Sequence, residues 1–331
     1  MRLPPELLPE DAAARHAVLR TYFCDKDAVA HRDAEGWRLR LDWPDGVDRH
    51  VDPRLDHGLA WWQSGLGRGE MALQRRRRGR VLTSLYDTWT LHSWSEWLGG
   101  RSDRLREPHV ILHIDDHMDL GSPRIFLDRS RDWTDAITRA PVSVSDPPSV
   151  ASAIGSGAIG MGSFLTPWLH AALQVDVRHL CRPPKATATE DYIATRVTCA
   201  DELLAPGMPR MAIALQQDSA STGLSYRRTP NVADWTRDLG LGPILVHIDM
   251  DYFNNRYDGD SDWEIRDPGF NASSTEIRAK IDELASALCA PHIAPRIEDI
   301  VIAYSPGFFP AEYWQQANEQ LERRLRAFYE S

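Results

Sequence analysis

The chain has 331 residues, 42% hydrophobic and 26% charged, a globular composition long enough for one large α/β domain. Its 48 acidic against 38 basic residues give a formal net charge of -10, which argues against nucleic-acid or anionic-membrane binding and favours a cationic partner. Cys24, Cys181, Cys199 and Cys289 form no C-x-x-C pair, so neither a disulfide framework nor a thiolate zinc site is expected, and a reducing compartment is. The start, Met1 to Glu6, has no signal-peptide apolar region and no apolar run approaches a membrane span, so the expectation is a cytoplasmic protein.

Residues 1–75 are polar and Trp-rich and read as an N-terminal extension within a single domain spanning 1–331. Core packing is the first reading of Trp37, Trp43, Trp61 and Trp62. The run Arg75 to Arg78 before Gly79 reads as a solvated turn, with a docking patch for an acidic peptide segment as the other reading. A strand is predicted from Arg80 to Tyr86, followed by Asp87 to Leu98 with Thr90-Leu91-His92-Ser93-Trp94. Val110 to Ile114 is a short β-branched run that predicts a buried strand. The small residues of Gly155 to Gly162 suit a loop over a site or a close helix packing. Met211 to Leu215, Ile244 to Ile248 and Ile300 to Tyr304 predict further strands. Ser273 with Glu276 forms a capping box opening a helix whose apolar face is Ile277, Ile281, Leu284, Ala285 and Leu288. A last amphipathic helix follows Pro310. Apolar strands alternating with helices predict a three-layer α/β/α fold with a mainly parallel sheet.

Two of these strands deliver acids at their carboxyl ends, where open parallel sheets place their sites. Asp115-Asp116-His117-Met118-Asp119 follows the first and Asp249-Met250-Asp251 the second. Residues two apart in an extended or turning segment project to one side, so Asp115, His117 and Asp119 can converge while Asp116 and Met118 point elsewhere. Either motif alone reads as a helix cap or loop carboxylate. Together they form an oxygen- and imidazole-rich set suited to Mn²⁺, Fe²⁺ or Zn²⁺, and the absence of cysteine favours the harder ions. Carboxylates can bridge two ions about 3.5 Å apart, which then activate a shared water.

At these residues the chain resembles the arginase–deacetylase superfamily, whose ureohydrolases carry Asp-x-His-x-Asp and then Asp-x-Asp in this order, preceded by a histidine often followed by serine. His92-Ser93 stands where that histidine is expected. More narrowly, Leu112 to Leu120 and His247 to Phe253 resemble the divergent arginase-like family that includes peptide arginases. The resemblance implies an arginase-like fold with two Mn²⁺ ions. One would be held by His92, Asp115, Asp119 and Asp249, the other by His117, Asp115, Asp249 and Asp251. For His92 a tucked core histidine is the other reading.

The activity implied is hydrolysis of the guanidinium of arginine within a ribosomally made precursor peptide, giving ornithine and urea. Asp119 and Asp251 would steady the reacting centre and His170 is the candidate proton shuttle, with a structural role as its alternative. The chain departs from ordinary arginases after its last strand, where Ser305-Pro306-Gly307 offers no carboxylate for the guanidinium. Glu312, Asp258, Asp260 or Glu298 would have to substitute. Two other readings are carried: a single-zinc deacetylase of acyl-lysine or acetylpolyamine, against which His92 and Asp251 argue, and a non-catalytic peptide binder with a structural metal.

Overall fold

A computed structural model describes residues 1–47, 50–129, 132–217, 220, 222–259, 264 and 271–331. The strands in chain order are β1 (Arg2–Leu3), β2 (Asp27–Asp33), β3 (Gly36–Asp42), β4 (Arg75–Arg78), β5 (Val81–Ser84), β6 (His109–Ile114), β7 (Ile125–Leu127) and β8 (Trp133–Asp135). They continue as β9 (Val175–Leu180), β10 (Glu190–Ala200), β11 (Pro209–Gln216), β12 (Leu224–Thr229), β13 (Ile244–Asp249) and β14 (Ile297–Ala303). The helices are α1 (Ala12–Phe23), α2 (Leu55–Trp62), α3 (Trp89–Leu98), α4 (Pro147–Ser156), α5 (Leu165–Ala171), α6 (Val232–Trp235), α7 (Ser274–Leu288), α8 (Trp314–Arg324) and α9 (Arg326–Tyr329).

Eleven strands form one sheet in the order β4-β5-β14-β13-β6-β9-β12-β10-β11-β7-β8. The six from β5 to β12 in that order are mutually parallel. β4 on one side and the β10, β11, β7 and β8 group on the other are antiparallel. The expected parallel sheet is therefore a parallel centre with antiparallel margins. Every residue of β6 and β13 is buried, as strands covered on both faces require. The helices pack in two groups, α3 with α4 and α5, and α7 with α8 and α2. The capping box at Ser273 and Glu276 is present, and the predicted apolar face of α7 is its buried face.

The N-terminal region does not pack as one piece. β1, β3 and β2 form a separate antiparallel sheet, whose Leu3, Trp37 and Leu39 join α1 and Phe126, Leu203 and Leu204 in a small second core. Leu55, Leu59, Trp62, Met71 and Ala72 belong instead to the main core. Trp61 and Trp62 pack against Tyr304. Arg75 to Arg78 are not a turn but the exposed edge strand β4, since each arginine has a partner of its own: Arg75 lies over Trp89, Arg76 over Trp62, Arg77 pairs with Asp299 and Arg78 with Glu322. No helix of the described residues is long and apolar enough to cross a membrane.

Candidate metal centre

Because β5, β14, β13, β6 and β9 run parallel, the segments leaving their carboxyl ends meet on one side of the sheet. There Asp87, His117, Asp119, Asp249, Asp251 and Ser305 line a cavity of about 610 Å³. Its walls are Met118, Leu120, Met161, Ile213, Leu215 and Phe308, with Gly121 and Gly162 between them. The stretch ending at Gly162 thus reaches the cavity, as a loop following α4.

The first motif turns sharply after β6. The Asp115 carboxylate accepts the His117 N–H at 2.5 Å, and Asp119 takes a left-handed φ of 54°. Ser305 and Asp258 also have positive φ, 42° and 50°. L-residues hold such conformations only where the surroundings impose them, and they gather at functional sites. The second motif forms a short 3₁₀ turn in which Asp249 caps the Asp251 N–H at 3.1 Å. The second oxygen of Asp249 accepts the Ser305 hydroxyl at 2.5 Å, and Asp251 accepts the Asp116 N–H at 3.1 Å, tying the two motifs together.

The predicted residues Asp115, His117, Asp119, Asp249 and Asp251 are brought together here. Asp115, His117 and Asp251 present ligand atoms within 4.8 Å of one another, and so do His113, Asp115, Asp119 and His247, so either group could hold a metal ion. The His117 Nδ1 lies 2.8 Å from Asp251 and 3.5 Å from Asp115, while its Nε2 faces Asp258 at 3.0 Å. Asp258 in turn accepts from Lys185 at 3.1 Å and from Asn255 at 2.8 Å. Displacement of the Nδ1 proton by a cation would make that nitrogen a ligand, the other ring nitrogen being held by a carboxylate. The second oxygens of Asp115 and Asp119 are buried and have no hydrogen-bond partner among the described residues. Burial of a carboxylate without a partner is costly, so the donor set fits a divalent cation.

The electrostatics agree. Burial and the neighbouring Asp119, Asp251 and Asp249 push the Asp115 carboxyl well above the carboxylate range. Burial, Asp251 and Asp87 do the same to Asp249. His117 is held protonated although burial opposes its charge, because Asp251, Asp115 and Asp258 surround it. Asp251 is correspondingly kept low despite burial, through its pairing with His117.

His92 and His170 lie elsewhere. His92 sits within α3, which leads away from the strand ends. Its ring packs edge-on to Trp89 at 5.3 Å and its Nδ1 is 3.7 Å from Glu96. The next residue, Ser93, bonds Asp299, the third residue of β14 and so near that strand's amino end. His170 stacks edge-on with Trp133, donates to the Ala212 carbonyl at 2.9 Å and lines a different cavity. Neither histidine lines the acidic cavity. Among the carboxylates expected to grip a guanidinium, Glu312 pairs with Arg256 at 2.8 Å, Asp258 is engaged with Lys185, and Glu298 is exposed on β14. Asp260 lies outside the described residues.

Sequence reading missed several members of this site. Asp87, three residues beyond β5, lines the cavity. His113 lies in register with His247 on one side and His179 on the other. The ring nitrogens of His113 and His247 approach at 3.0 Å, His113 also donates to the His117 carbonyl, and His179 donates to the Asp115 carbonyl. Tyr226 donates to His179 at 2.8 Å. Burial holds all three imidazoles below their ordinary values, hence neutral. Since His113 Nε2 gives its proton to a carbonyl, its Nδ1 must accept from His247 Nδ1. This row braces the backbone that carries Asp115. The signal available was histidine in two runs otherwise wholly apolar. No known family model matches the chain, and no curated protein matches it.

Proposed function

We propose that this protein is a binuclear metal hydrolase that acts on the guanidinium of arginine presented within a peptide, releasing urea and leaving ornithine. The observation that carries the reading is the convergence of both acidic motifs, with orphaned carboxylate oxygens, at the floor of an otherwise apolar cavity. The residues that would hold the ions are Asp115, His117, Asp119, Asp249 and Asp251. Two divalent ions, Mn²⁺ by the hardness of these ligands, would supply Lewis acidity and an activated water.

The rest is the work of the chain itself. The apolar walls suit the aliphatic stem of an arginine and exclude water, which strengthens the attraction of the acidic floor for a cation. Among the described residues the lining includes no lysine or arginine to receive a free α-carboxylate, which favours an arginine held in a peptide bond. Water adds to the guanidinium carbon, the bond from that carbon to Nε breaks, and a proton passes to Nε as the amine leaves. With one oxygen of Asp119 on an ion, its other oxygen would take up a proton during this exchange. Asp251, held by the Asp116 N–H and His117, stays ionised and favours the cationic substrate.

The position of His92 removes one of the two sequence arguments against a single-zinc deacetylase, so that reading is kept as the second. Incubation of arginine-containing and acetyl-lysine peptides with the Mn²⁺- or Zn²⁺-loaded protein separates the two. Loss of CH₂N₂ per arginine with Mn²⁺, and urea in the supernatant, is the expected result. Turnover of acetyl-lysine alone, with one zinc ion per chain, would replace this proposal by the second reading.

A further inference from the structure

The segment between β5 and α3 holds a buried acid that no motif announced. Asp87 is 2% exposed and lines the acidic cavity together with Asp119 and Asp249. One of its oxygens accepts the Gly162 N–H at 2.7 Å. The other is buried and has no hydrogen-bond partner among the described residues. Gly162 is the hinge of the arrangement: a Cβ there would stand 3.6 Å from an Asp119 oxygen, so the Asp87 and Asp119 carboxylates flank the same backbone unit. The charge of Asp119 acts on Asp87, and those of Asp87 and Asp119 act on Asp249. Asp119 and Asp25 both press charges of its own sign on Asp87.

We propose that Asp87, with Asp119 and Asp249, is a ligand of the second ion, in the place where His92 was expected. The inference rests on the reading of this cavity as a two-ion site. A buried carboxylate crowded by like charges persists only if it is protonated or shares a cation. A lining carboxylate with an orphaned oxygen, beside two further carboxylates, has the chemistry of a ligand position. An aspartate here, rather than a neutral imidazole, makes this half of the site all oxygen. It favours Mn²⁺ or Mg²⁺ over softer ions. It also changes the charge balance: Asp87, Asp115, Asp119, Asp249 and Asp251 carry five negative charges against four on two divalent ions. The excess of one selects a cationic group in the substrate position.

The test is Mn²⁺ titration of the full chain by calorimetry, with the bound metal counted by elemental analysis and electron paramagnetic resonance distinguishing a coupled pair from a lone ion. Wild type should bind two ions with a coupled spectrum. Asp87→Ala should bind one with a mononuclear spectrum, and the second affinity should fall by more than the roughly 10–100-fold that outer partners of a metal site cost. Asp87→His should recover the second ion, and His92→Ala should match wild type. Retention of two ions at unchanged affinity in folded Asp87→Ala, or loss of one in His92→Ala, overturns the assignment. Should Asp87→Ala melt early, Asp87→Asn, which keeps the acceptor for Gly162, carries the same expectation. Two ions in wild type and one in Asp87→Ala, with no urea from any peptide, sustains Asp87 while removing the guanidine substrate. No ion in wild type removes both.

Discussion

Asp299 and Asp87 are both buried acids beside α3, and their surroundings differ in kind. The two oxygens of Asp299 take Arg77 at 2.8 Å and Ser93 at 2.6 Å. Asp52, equally buried, accepts Arg54 N–H, the Tyr257 hydroxyl and Ala311 N–H. At the strand ends, Asp87, Asp115 and Asp119 each keep one oxygen without a hydrogen-bond partner among the described residues. A carboxylate that serves the fold is satisfied by the fold. One that is left short by the protein, in a cavity and among its own kind, is completed from outside. The distinction therefore sets Asp87, Asp115 and Asp119 apart from Asp299 and Asp52 without reference to any relative.

The largest expected effect follows directly. Asp115→Ala should leave no measurable Mn²⁺ by elemental analysis and no urea release, since Asp115 belongs to both groups able to hold an ion. Asp299→Ala should do the reverse. It strips Ser93 and Arg77 of an acceptor and should cost about 1–3 kcal/mol in denaturant unfolding. Its metal content should equal that of wild type. If Asp299→Ala lost metal while Asp115→Ala kept it, the comparison would be inverted.

Much of the centre was legible because it obeys short-range rules. Asp115, His117 and Asp119 alternate along one turn, and Asp249 and Asp251 leave the neighbouring parallel strand, so local pattern sufficed to pair them. His92 failed for a different reason. A helix carries residues 1.5 Å farther along its axis at each step, and α3 leads away from the strand ends, so a position five residues past Asp87 belongs to another layer. The motif pointed to the segment that reaches the cavity, through Asp87, while His92 itself does not line it. His113, His179 and His247 were hidden by their surroundings, because a single histidine does not disturb an apolar strand pattern and their contact depends on strand order. That order, β13-β6-β9, is not contiguous in the chain and cannot be read from periodicity. The antiparallel margins escaped for the same reason. β10 and β11 are mostly half-exposed, without the uniform apolar run that marks the centre.

A smaller effect is expected at Asp258, which completes neither set. It holds the His117 Nε2 at 3.0 Å and is itself held by Lys185 and Asn255, so its role is to orient a ligand. The Asp258→Ala protein should fold, bind Mn²⁺ about 10–100-fold more weakly, and lose activity mainly through that affinity. Saturating Mn²⁺ should restore most of the turnover. A loss of turnover that saturating metal does not restore would mean that Asp258 touches the substrate.

The finest distinction between the two sets is in their response to pH. Asp87, Asp115 and Asp249 have carboxyl groups raised by burial and by neighbouring acids. A raised folded value means that the group favours the folded state below the ordinary aspartate range, about 4, and that this contribution is lost as pH rises through the raised value. Asp251 acts oppositely, burial notwithstanding, because its pairing with His117 lowers it; its contribution is present above about pH 4 and fades only in acid. Above the ordinary histidine range of about 6.5, where the neutral His113, His179 and His247 no longer add stability with pH, the metal-free protein should accordingly lose thermal stability as pH rises and the three raised carboxyls are forced to ionise. Mn²⁺ should reverse the slope, since ligation requires the ionised forms and releases their protons. Asp87→Asn, which removes one raised group while keeping its shape, should make the metal-free protein relatively more stable than wild type as pH rises. Thermal melts above that range, with and without Mn²⁺, read both slopes. A metal-free wild type whose melting temperature does not fall with pH, and whose difference from Asp87→Asn stays constant, would show that these acids are satisfied within the fold after all.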